Sequence, residues 1–232
     1  MKIGQTSIIF FISKLLGSAL GFIGTLYFAR RLGAEVLGIY ALVMTVVGWL
    51  ILIGDLGIGS AIVKRISEGE EQGSYLTAGV TWVFLITTII STGVVVTQPV
   101  IDSYISEFGQ YVSFPVAWFI IALVIAFLLY EVVISVLKGE KKVHIVGLLD
   151  PIKIGGRSLL QIGLVFLGFG LFGMLVGAIF GITLAGLVGV LWVSVRPAEP
   201  AKHHFQSLFN YAKFSWLGKL QSRVFNEIDI LL

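Results

Sequence analysis

Long apolar stretches interrupted by short polar segments run along most of this chain. Six stretches reach the roughly 20 residues that an α-helix needs to cross the apolar core of a bilayer. They are about 7–29, 36–63, 76–98, 114–137, 151–169 and 172–195. A further apolar-rich segment opens at Phe209 and runs to Leu232. The pattern predicts an all-α membrane protein with six transmembrane helices in one bundle, followed by the start of a seventh helix.

Glycine, proline and aspartate residues refine the predicted helices. Gly54, Gly57 and Gly59 predict a bend near the end of the long second helix. Asp150 is a favourable N-cap and Pro151 a favourable first helical residue, so the fifth helix is predicted to begin there.

The polar segment after the sixth apolar stretch divides the chain into two predicted domains. Residues 1–200 form an N-terminal six-helix bundle, and residues 201–232 form a linker and the truncated first helix of a second bundle. This last helix reaches Asp229 and the end of the chain with no cap and no basic flank. These features predict that the chain is incomplete. A truncated coding sequence and the pairing of two short chains both explain it.

Composition supports the membrane assignment and excludes several function classes. Hydrophobic residues make up 57% of the chain and charged residues 12%, about half the charged share of soluble domains. Membrane lipid is therefore an expected partner. The net charge of +3 is too small to favour a nucleic-acid partner, and the chain has no cysteine. Disulfides, thiolate metal sites and thiol catalysis are excluded.

Lysine and arginine are distributed asymmetrically between the predicted connections. The basic residues flanking one side are Lys2, Lys64, Arg65, Lys138, Lys141, Lys142, Arg196, Lys202 and Lys213. The opposite side has only Arg30 and Arg31, and the segment 99–115 has neither lysine nor arginine. The positive-inside rule then predicts a multi-pass protein of the cell membrane with a cytoplasmic N-terminus.

Ionisable side chains inside membrane helices are candidate binding groups because they are costly to bury. Lys14 belongs to a small and polar stripe of the first helix, and Asp55 lies at a comparable predicted depth on the second. The two are expected to line one cytoplasm-facing cavity. The structural alternatives are snorkelling of Lys14 to the surface and an ion pair that holds two helices together.

Glu131 on the fourth helix and Arg157 on the fifth are expected at a similar depth. Together with Lys14 and Asp55 they would form a mixed-charge layer, in which the two basic residues meet an anionic head group. The alternative role for Glu131 and Arg157 is anchoring at the membrane interface.

Other motifs carry less chemistry. Gly173, Gly177 and Gly181 form a small-xxx-small pattern that is typical of close helix contact. His203 and His204 are adjacent and have no third metal ligand near them in the sequence, so no metal site is predicted. No catalytic residue arrangement is recognisable, and we expect neither enzymatic activity nor a cofactor.

Several local strings resemble a known family. Residues 26–42 contain LYFARRLGAE and LGIYAL, and residues 55–65 read DLGIGSAIVKR. In combination they resemble the N-terminus of the Wzx-type polysaccharide biosynthesis flippases of the MOP superfamily. The stretch 137–140 and the turn between the fifth and sixth helices are also similar. Lys14 lies in a string similar to a Ser-Arg-x-x-Gly element with a cavity arginine in the peptidoglycan-precursor branch.

The resemblance implies half of a MOP-type fold, in which two bundles enclose a central cavity. It implies an alternating-access flippase for an oligosaccharide linked to polyprenyl phosphate or pyrophosphate, with glycosyltransferases of the same pathway as further partners. Two alternatives stay open. One is a cation-coupled multidrug antiporter of the same superfamily with Asp55 as the ion site, and the other is a non-transporting scaffold for glycan assembly. A net basic cavity would favour the phosphate-bearing substrate.

Overall fold

The computed structural model describes residues 3–105 and 107–231, with side chains described for residues 11, 15, 17–105 and 107–218. The described residues form α-helices and short connections without a β-strand. The helices are α1 (Ile3–Asp55), α2 (Ile58–Glu68), α3 (Gln72–Val96), α4 (Gln98–Tyr104), α5 (Phe108–Tyr111), α6 (Val116–Gly139), α7 (Val143–Phe166), α8 (Gly170–Val190) and α9 (Lys202–Leu231). The all-α prediction is confirmed.

Four stretches of the described chain are long and apolar enough to cross a membrane. They are Gly17–Asp55, Gln72–Val96, Val116–Gly139 and Gly170–Val190. The first has 39 residues, which is about 58 Å of helix and nearly twice the thickness of the apolar core of a bilayer. It overlaps the first two predicted helices, 7–29 and 36–63, which are separated by a kink at Gly33 with φ 85° and ψ 170°.

The arm of α1 before Gly33 runs alongside α7 in the same direction. A Cβ built on Gly17 would lie 3.5 Å from Ile154, and one built on Gly24 would lie 3.8 Å from Ile162. Residue numbers therefore rise together on the two helices. Small residues on this arm let it lie close to α7.

The arm after Gly33 runs instead alongside α6. A Cβ on Gly54 would lie 2.8 Å from Leu128, and one just beyond the arm on Gly59 would lie 2.9 Å from the Ser135 hydroxyl. Because α6 and α7 are antiparallel neighbours joined by the short turn 140–142, the two arms of α1 run in opposite directions. The kink at Gly33 thus reverses the direction of the chain.

The bend predicted near the end of the second helix is confirmed at Leu56 and Gly57. Both have positive φ, 39° and 79° respectively. Gly57 also meets α9 closely, since an added Cβ would lie 2.2 Å from the carbonyl oxygen of Ala212. Only glycine combines this backbone conformation with this approach. The residues after the bend form a separate helix, α2, which packs against α6 and α9.

The predicted start of the fifth helix at Asp150 and Pro151 is wrong. Helix α7 begins at Val143 and carries Pro151 in its interior. Proline is favoured at the first helical position and costs about 3 kcal/mol inside a soluble helix, which is why the pattern suggested a start. Packing against α1 and α8 holds α7 continuous through the proline, as neighbouring helices often do in membranes.

The last helix begins at Lys202, seven residues before the predicted start at Phe209. Its first turn is capped, because the backbone N–H of Ala201 donates to Nδ1 of His204 over 2.9 Å. This arrangement matches a capping box, in which a side chain at the third helical position accepts from the capping residue. Leu208 and Ala212 are then buried where α9 packs against α2 and α3.

One end of the bundle gathers the Gly33 kink, the segment 97–115 and the α7–α8 turn. The hydroxyl of Tyr111 donates to Oε1 of Glu35 over 2.7 Å. A Cβ on Gly170 would lie 4.0 Å from Leu32. These contacts join connections that were predicted to share one side of the membrane.

The opposite end gathers the connections that are rich in lysine and arginine. Oε1 of Glu140 accepts hydrogen bonds from the backbone N–H groups of Ser194 and Val195, at 2.8 and 2.7 Å. A Cβ on Gly73 would lie 2.3 Å from the carbonyl oxygen of Arg196. The turns before α3 and α7 therefore meet the segment after α8 at this end.

Candidate functional site

A polar cavity lies between α1, α7 and α8. Its volume is about 310 Å³. Polar and charged side chains from α1 and α7 face apolar residues of α6 and α8 across it. The lining residues are Gly21, Thr25, Phe28, Leu37, Tyr40, Phe127, Lys153, Ile154, Arg157, Ser158, Gln161, Met174 and Ile182.

Arg157, Tyr40 and Gln161 form the polar centre of the cavity. Nη2 of Arg157 donates to the hydroxyl of Tyr40, and Nε2 of Gln161 donates to the same hydroxyl over 2.8 Å. Nε2 of Gln161 also donates to the carbonyl oxygen of Met174 over 2.7 Å. A single tyrosine hydroxyl therefore fixes two neighbouring turns of α7 against the second arm of α1.

Three glycines of α8 bring that helix against the backbone of α7. Added Cβ atoms would lie 2.9 Å from Leu164 at Gly173, 2.8 Å from Gln161 at Gly177 and 2.5 Å from the Cα of Arg157 at Gly181. The interpretation of the small-xxx-small pattern as a helix contact is confirmed. With α8 packed against the backbone of α7, the Arg157 and Gln161 side chains both reach the Tyr40 hydroxyl on α1.

A second cation, Lys153, lies one turn before Arg157. Its Nζ is 3.5 Å from Oδ1 of Asp150 and 4.6 Å from the centre of the Tyr130 ring. The Tyr130 hydroxyl also contacts Oδ1 of Asp150 at 3.5 Å. Lys153 therefore has an acidic partner and an aromatic neighbour.

The charge of Arg157 is balanced differently. Among the described residues, no carboxylate oxygen lies within 4.0 Å of the Arg157 guanidinium, the distance that defines an ion pair. The guanidinium lies over the Tyr40 ring, 5.8 Å from the ring centre. The cavity lining contains two basic side chains and, in the part of the chain that is described, no acidic one. The described lining of the cavity is therefore net basic.

Asp55 lies elsewhere. Its carboxylate accepts hydrogen bonds from the backbone N–H groups of Gly57 and Gly59, each at 3.2 Å, and so stabilises the start of α2. Fifteen residues separate it from Tyr40 along α1, which corresponds to about 22 Å. Asp55 is not among the lining residues of the cavity.

Glu131 also lies away from the cavity. It is partly buried on α6, on the face between Leu128 and Ser135 that packs against the segment 54–59. The structure therefore does not bring Arg157 and Asp55 into one layer, since Arg157 contacts Tyr40, which lies about 22 Å from Asp55 along α1. The misplaced start of α7 is the reason. Lys14 falls on the first arm of α1, and its side chain lies outside the described residues.

The structure places a third potential metal ligand, Glu71, beside His203 and His204. Nε2 of both rings faces Oε2 of Glu71, at 3.3 Å from His203 and 3.1 Å from His204. Glu71 belongs to the turn between α2 and α3, 132 residues earlier in the chain. Hydrogen bonds from these imidazoles, His203 first, hold the pKa of Glu71 below its ordinary value.

Long apolar helices around a cavity lined with polar and charged side chains define a multi-pass membrane protein of the α-helical bundle class. The chain belongs to the polysaccharide biosynthesis protein family, whose model matches residues 3–232. The resemblance to the Wzx-type flippases is thereby confirmed.

Two relatives from the archaeon Haloferax volcanii are similar over the whole chain. The "Probable low-salt glycan biosynthesis flippase Agl15" is 29% identical over 240 residues, covering 100% of this chain and 48% of its own length. The "Probable flippase AglR" is 23% identical over 235 residues, covering 100% of this chain and 47% of its own length. The chain spans about half the length of these curated relatives.

Solved transporter structures share the fold. A MATE transporter in complex with MaD3S has a TM-score of 0.63 and 19% identity over 94% of this chain and 54% of its own. An outward-facing MATE family multidrug transporter of the MOP superfamily has a TM-score of 0.62 and 20% identity, covering 94% and 53%. A MOP superfamily transporter from Pyrococcus furiosus has a TM-score of 0.59 and 18% identity over the same shares. The chain thus folds like half of a MOP-type transporter.

Proposed function

We propose that this chain forms the first helix bundle of a flippase that moves polyprenyl-linked oligosaccharide across the cytoplasmic membrane. The product would feed the synthesis of surface polysaccharide or glycoprotein, and glycosyltransferases would supply the substrate. In this proposal residues 1–200 are the first bundle, and residues 201–232 lead into a second. The N-terminus is cytoplasmic, because the lysine-rich and arginine-rich connections gather at one end of the bundle. The family and the names of the Haloferax relatives support the proposal.

The main support for the proposal is the position of the Arg157 charge inside the bundle. Arg157 lies nine residues before the end of α7, about 14 Å along the helix axis. An arginine stays protonated at this depth, and a charge in an apolar region costs several kcal/mol unless it is compensated. None of the described carboxylates forms an ion pair with Arg157. An anion that enters the cavity would therefore compensate its positive charge.

A phosphate group is the anion whose shape fits this site. The guanidinium offers two parallel N–H donors that match two phosphate oxygens. Its present partner is the neutral Tyr40 hydroxyl, which a charged phosphate oxygen can replace as the stronger acceptor. Lys153 would add a second positive charge one helical turn away. A volume of about 310 Å³ is at the small end of ligand pockets, which suits a phosphate head group with the polyprenyl tail left in lipid.

The cation-coupled antiporter has less support in this half of the fold. It needs an acidic ion site, and Asp55 hydrogen-bonds the turn before α2 instead of lining the cavity. A scaffold that carries no substrate would not need a net basic cavity.

Lipid binding tests the proposal directly on this chain. The chain in lipid nanodiscs is titrated with polyprenyl phosphate, polyprenyl diphosphate and the uncharged polyprenol of the same length, and bound lipid is measured by native mass spectrometry. We expect both phosphorylated lipids to bind at least about tenfold more tightly than the polyprenol, because a charge-assisted pair contributes about 1.5–3 kcal/mol. Equal binding of the three lipids would refute a phosphate site.

A further inference from the structure

Three metal-ligating side chains meet at the basic end of the bundle, away from the cavity. Glu71 is the residue before α3, and His203 and His204 are in the first turn of α9. Their potential ligand atoms all lie within 4.8 Å of one another. The two imidazole rings lie side by side with centres 3.9 Å apart and planes tilted by 35°. Both rings therefore present Nε2 to the same carboxylate oxygen.

The spacing of these atoms suits a tetrahedral cation. Zinc binds imidazole nitrogen and carboxylate oxygen at about 2.0–2.2 Å, so two ligands of a tetrahedral site lie about 3.3 Å apart. Oε2 of Glu71 is 3.3 Å from Nε2 of His203 and 3.1 Å from Nε2 of His204. Two of the three ligand-to-ligand distances therefore match this geometry, and all three potential ligand atoms lie within 4.8 Å of one another.

The environment of His204 also suits a ligand. The residue is 2% exposed, and the Tyr75 ring packs edge-on against it with centres 4.7 Å apart. Its Nδ1 is 2.9 Å from the backbone nitrogen and 3.2 Å from the carbonyl oxygen of Ala201. Nδ1 can thus accept a hydrogen bond from the N–H while Nε2 donates to Glu71, or donate a hydrogen bond to the carbonyl when Nε2 binds a cation. The second arrangement is the one that orients metal-bound histidines.

The other two potential ligands, His203 and Glu71, are exposed to solvent. The side chains of His203 and Glu71 are 59% and 57% exposed. A cation can therefore enter from solvent, and water can complete its coordination. Two imidazoles and one carboxylate form a donor set that favours zinc over magnesium or calcium.

We propose that Glu71, His203 and His204 form a binding site for zinc or a similar divalent cation, which holds the start of α9 against the α2–α3 turn. The two segments are separated by about 130 residues of sequence, so the cation would close a long loop of the chain. Helix α9 already packs against α2 and α3, and the site would fix its N-terminal end in that position. This site is independent of the lipid-phosphate proposal, which concerns the cavity around Arg157 in the interior of α7.

Zinc binding to the purified chain tests the site. The chain carries an affinity tag without histidine, and Zn²⁺ affinity is measured in detergent by competition with a chromophoric chelator. We expect one zinc per chain, and at least about tenfold weaker binding in both Glu71→Gln and His203→Asn, since loss of even an outer-shell partner costs about 10–100-fold. The matched control is His144→Asn, which changes the remaining histidine, an exposed residue near the start of α7. The control variant should bind zinc like the unaltered chain.

Two further measurements separate a metal site from a hydrogen-bonded cluster. Zinc should raise the thermal unfolding midpoint of the unaltered chain, because it binds the folded state, and should not raise that of the Glu71→Gln variant. Cobalt bound in place of zinc should show the visible bands of tetrahedral coordination. Circular dichroism verifies that the variants are folded. Absence of stoichiometric zinc, or equal zinc affinity in the Glu71→Gln and His203→Asn variants, would overturn the proposal.

Discussion

The guanidinium of Arg157 on α7 donates a hydrogen bond to the hydroxyl of Tyr40 on α1, across 117 residues of sequence. The same hydroxyl accepts from Gln161. This contact fixes the orientation of the Arg157 side chain in the absence of a ligand. It also joins α1 and α7, which contribute most of the polar lining of the cavity.

Removal of the Tyr40 hydroxyl should destabilise the bundle. Tyr40→Phe removes one acceptor from Arg157 and from the buried Gln161, and an unsatisfied buried donor costs about 1–3 kcal/mol. We expect a lower thermal unfolding midpoint in detergent. Tyr104→Phe is the control, because Tyr104 is 83% exposed and should give no change. Equal midpoints for the two variants would contradict the role of Tyr40.

The contact between α7 and α8 should be sensitive to a single methyl group. Gly181→Ala would place a Cβ 2.5 Å from the Cα of Arg157, and such overpacking costs about 1–3 kcal/mol. The control is Gly163→Ala on α7, where an added Cβ meets nothing within 4 Å. Unfolding midpoints should fall for the first variant and stay or rise for the second. A Gly181→Ala variant as stable as the unaltered chain would show that the helices are not so close.

The Tyr111–Glu35 hydrogen bond predicts a pH dependence at the end of the bundle near Gly33. The bond to Glu35 raises the pKa of Tyr111 above its ordinary value near 10, and Glu107 adds a smaller effect. A raised pKa in the folded state means that the stabilisation is fully present below pH 10 and is lost as the pH rises through the folded value.

Tyrosine titration measures this effect. Glu35→Gln should lower the Tyr111 pKa towards 10, as followed by NMR of ring-labelled tyrosine with Tyr111→Phe to assign the signal. Glu107→Gln should cause a smaller decrease. A Tyr111 pKa that is unchanged by Glu35→Gln would mean that the hydrogen bond is absent in solution.

The two ends of the bundle predict the accessibility of single cysteines, and the chain has no native cysteine to interfere. Ser103 on α4 and Ser67 on α2 are both exposed and lie at opposite ends. Ser103→Cys should react with an impermeant thiol reagent added outside intact cells, while Ser67→Cys should react only after permeabilisation. The reverse pattern would place the N-terminus outside.

Hydrophobic patterning was sufficient for the elements that depend on local sequence. Apolar stretches located both arms of α1, α3, α6 and α8, and glycines located the bend at Gly57 and the contact at Gly181. The start of α7 was predicted wrongly because Pro151 satisfies the local rules for a helix start. Packing against helices that are distant in sequence keeps α7 continuous through the proline.

The polar sites depend on contacts between distant residues, which one sequence does not contain. From the sequence, Tyr40 is indistinguishable from any interior aromatic residue, and its role depends on the contact with Arg157. Glu71 is likewise indistinguishable from a surface acid, and its role depends on the packing of α9 against the α2–α3 turn. Asp55 did carry a local signal, because an aspartate two residues before a glycine often hydrogen-bonds that turn. Its proximity to Gly57 could have indicated a capping role in place of a cavity role.

The most direct measurement of the central claim is the affinity of Arg157 variants for polyprenyl phosphate in nanodiscs. We predict that Arg157→Ala raises the dissociation constant about tenfold or more, and that Arg157→Lys gives an intermediate value because lysine keeps the charge without the two-pronged donor geometry. Lys138→Ala removes the same charge from an exposed position at the end of α6 and should leave the affinity unchanged. An Arg157→Ala variant that binds polyprenyl phosphate as tightly as the unaltered chain and the Lys138→Ala control would contradict the account.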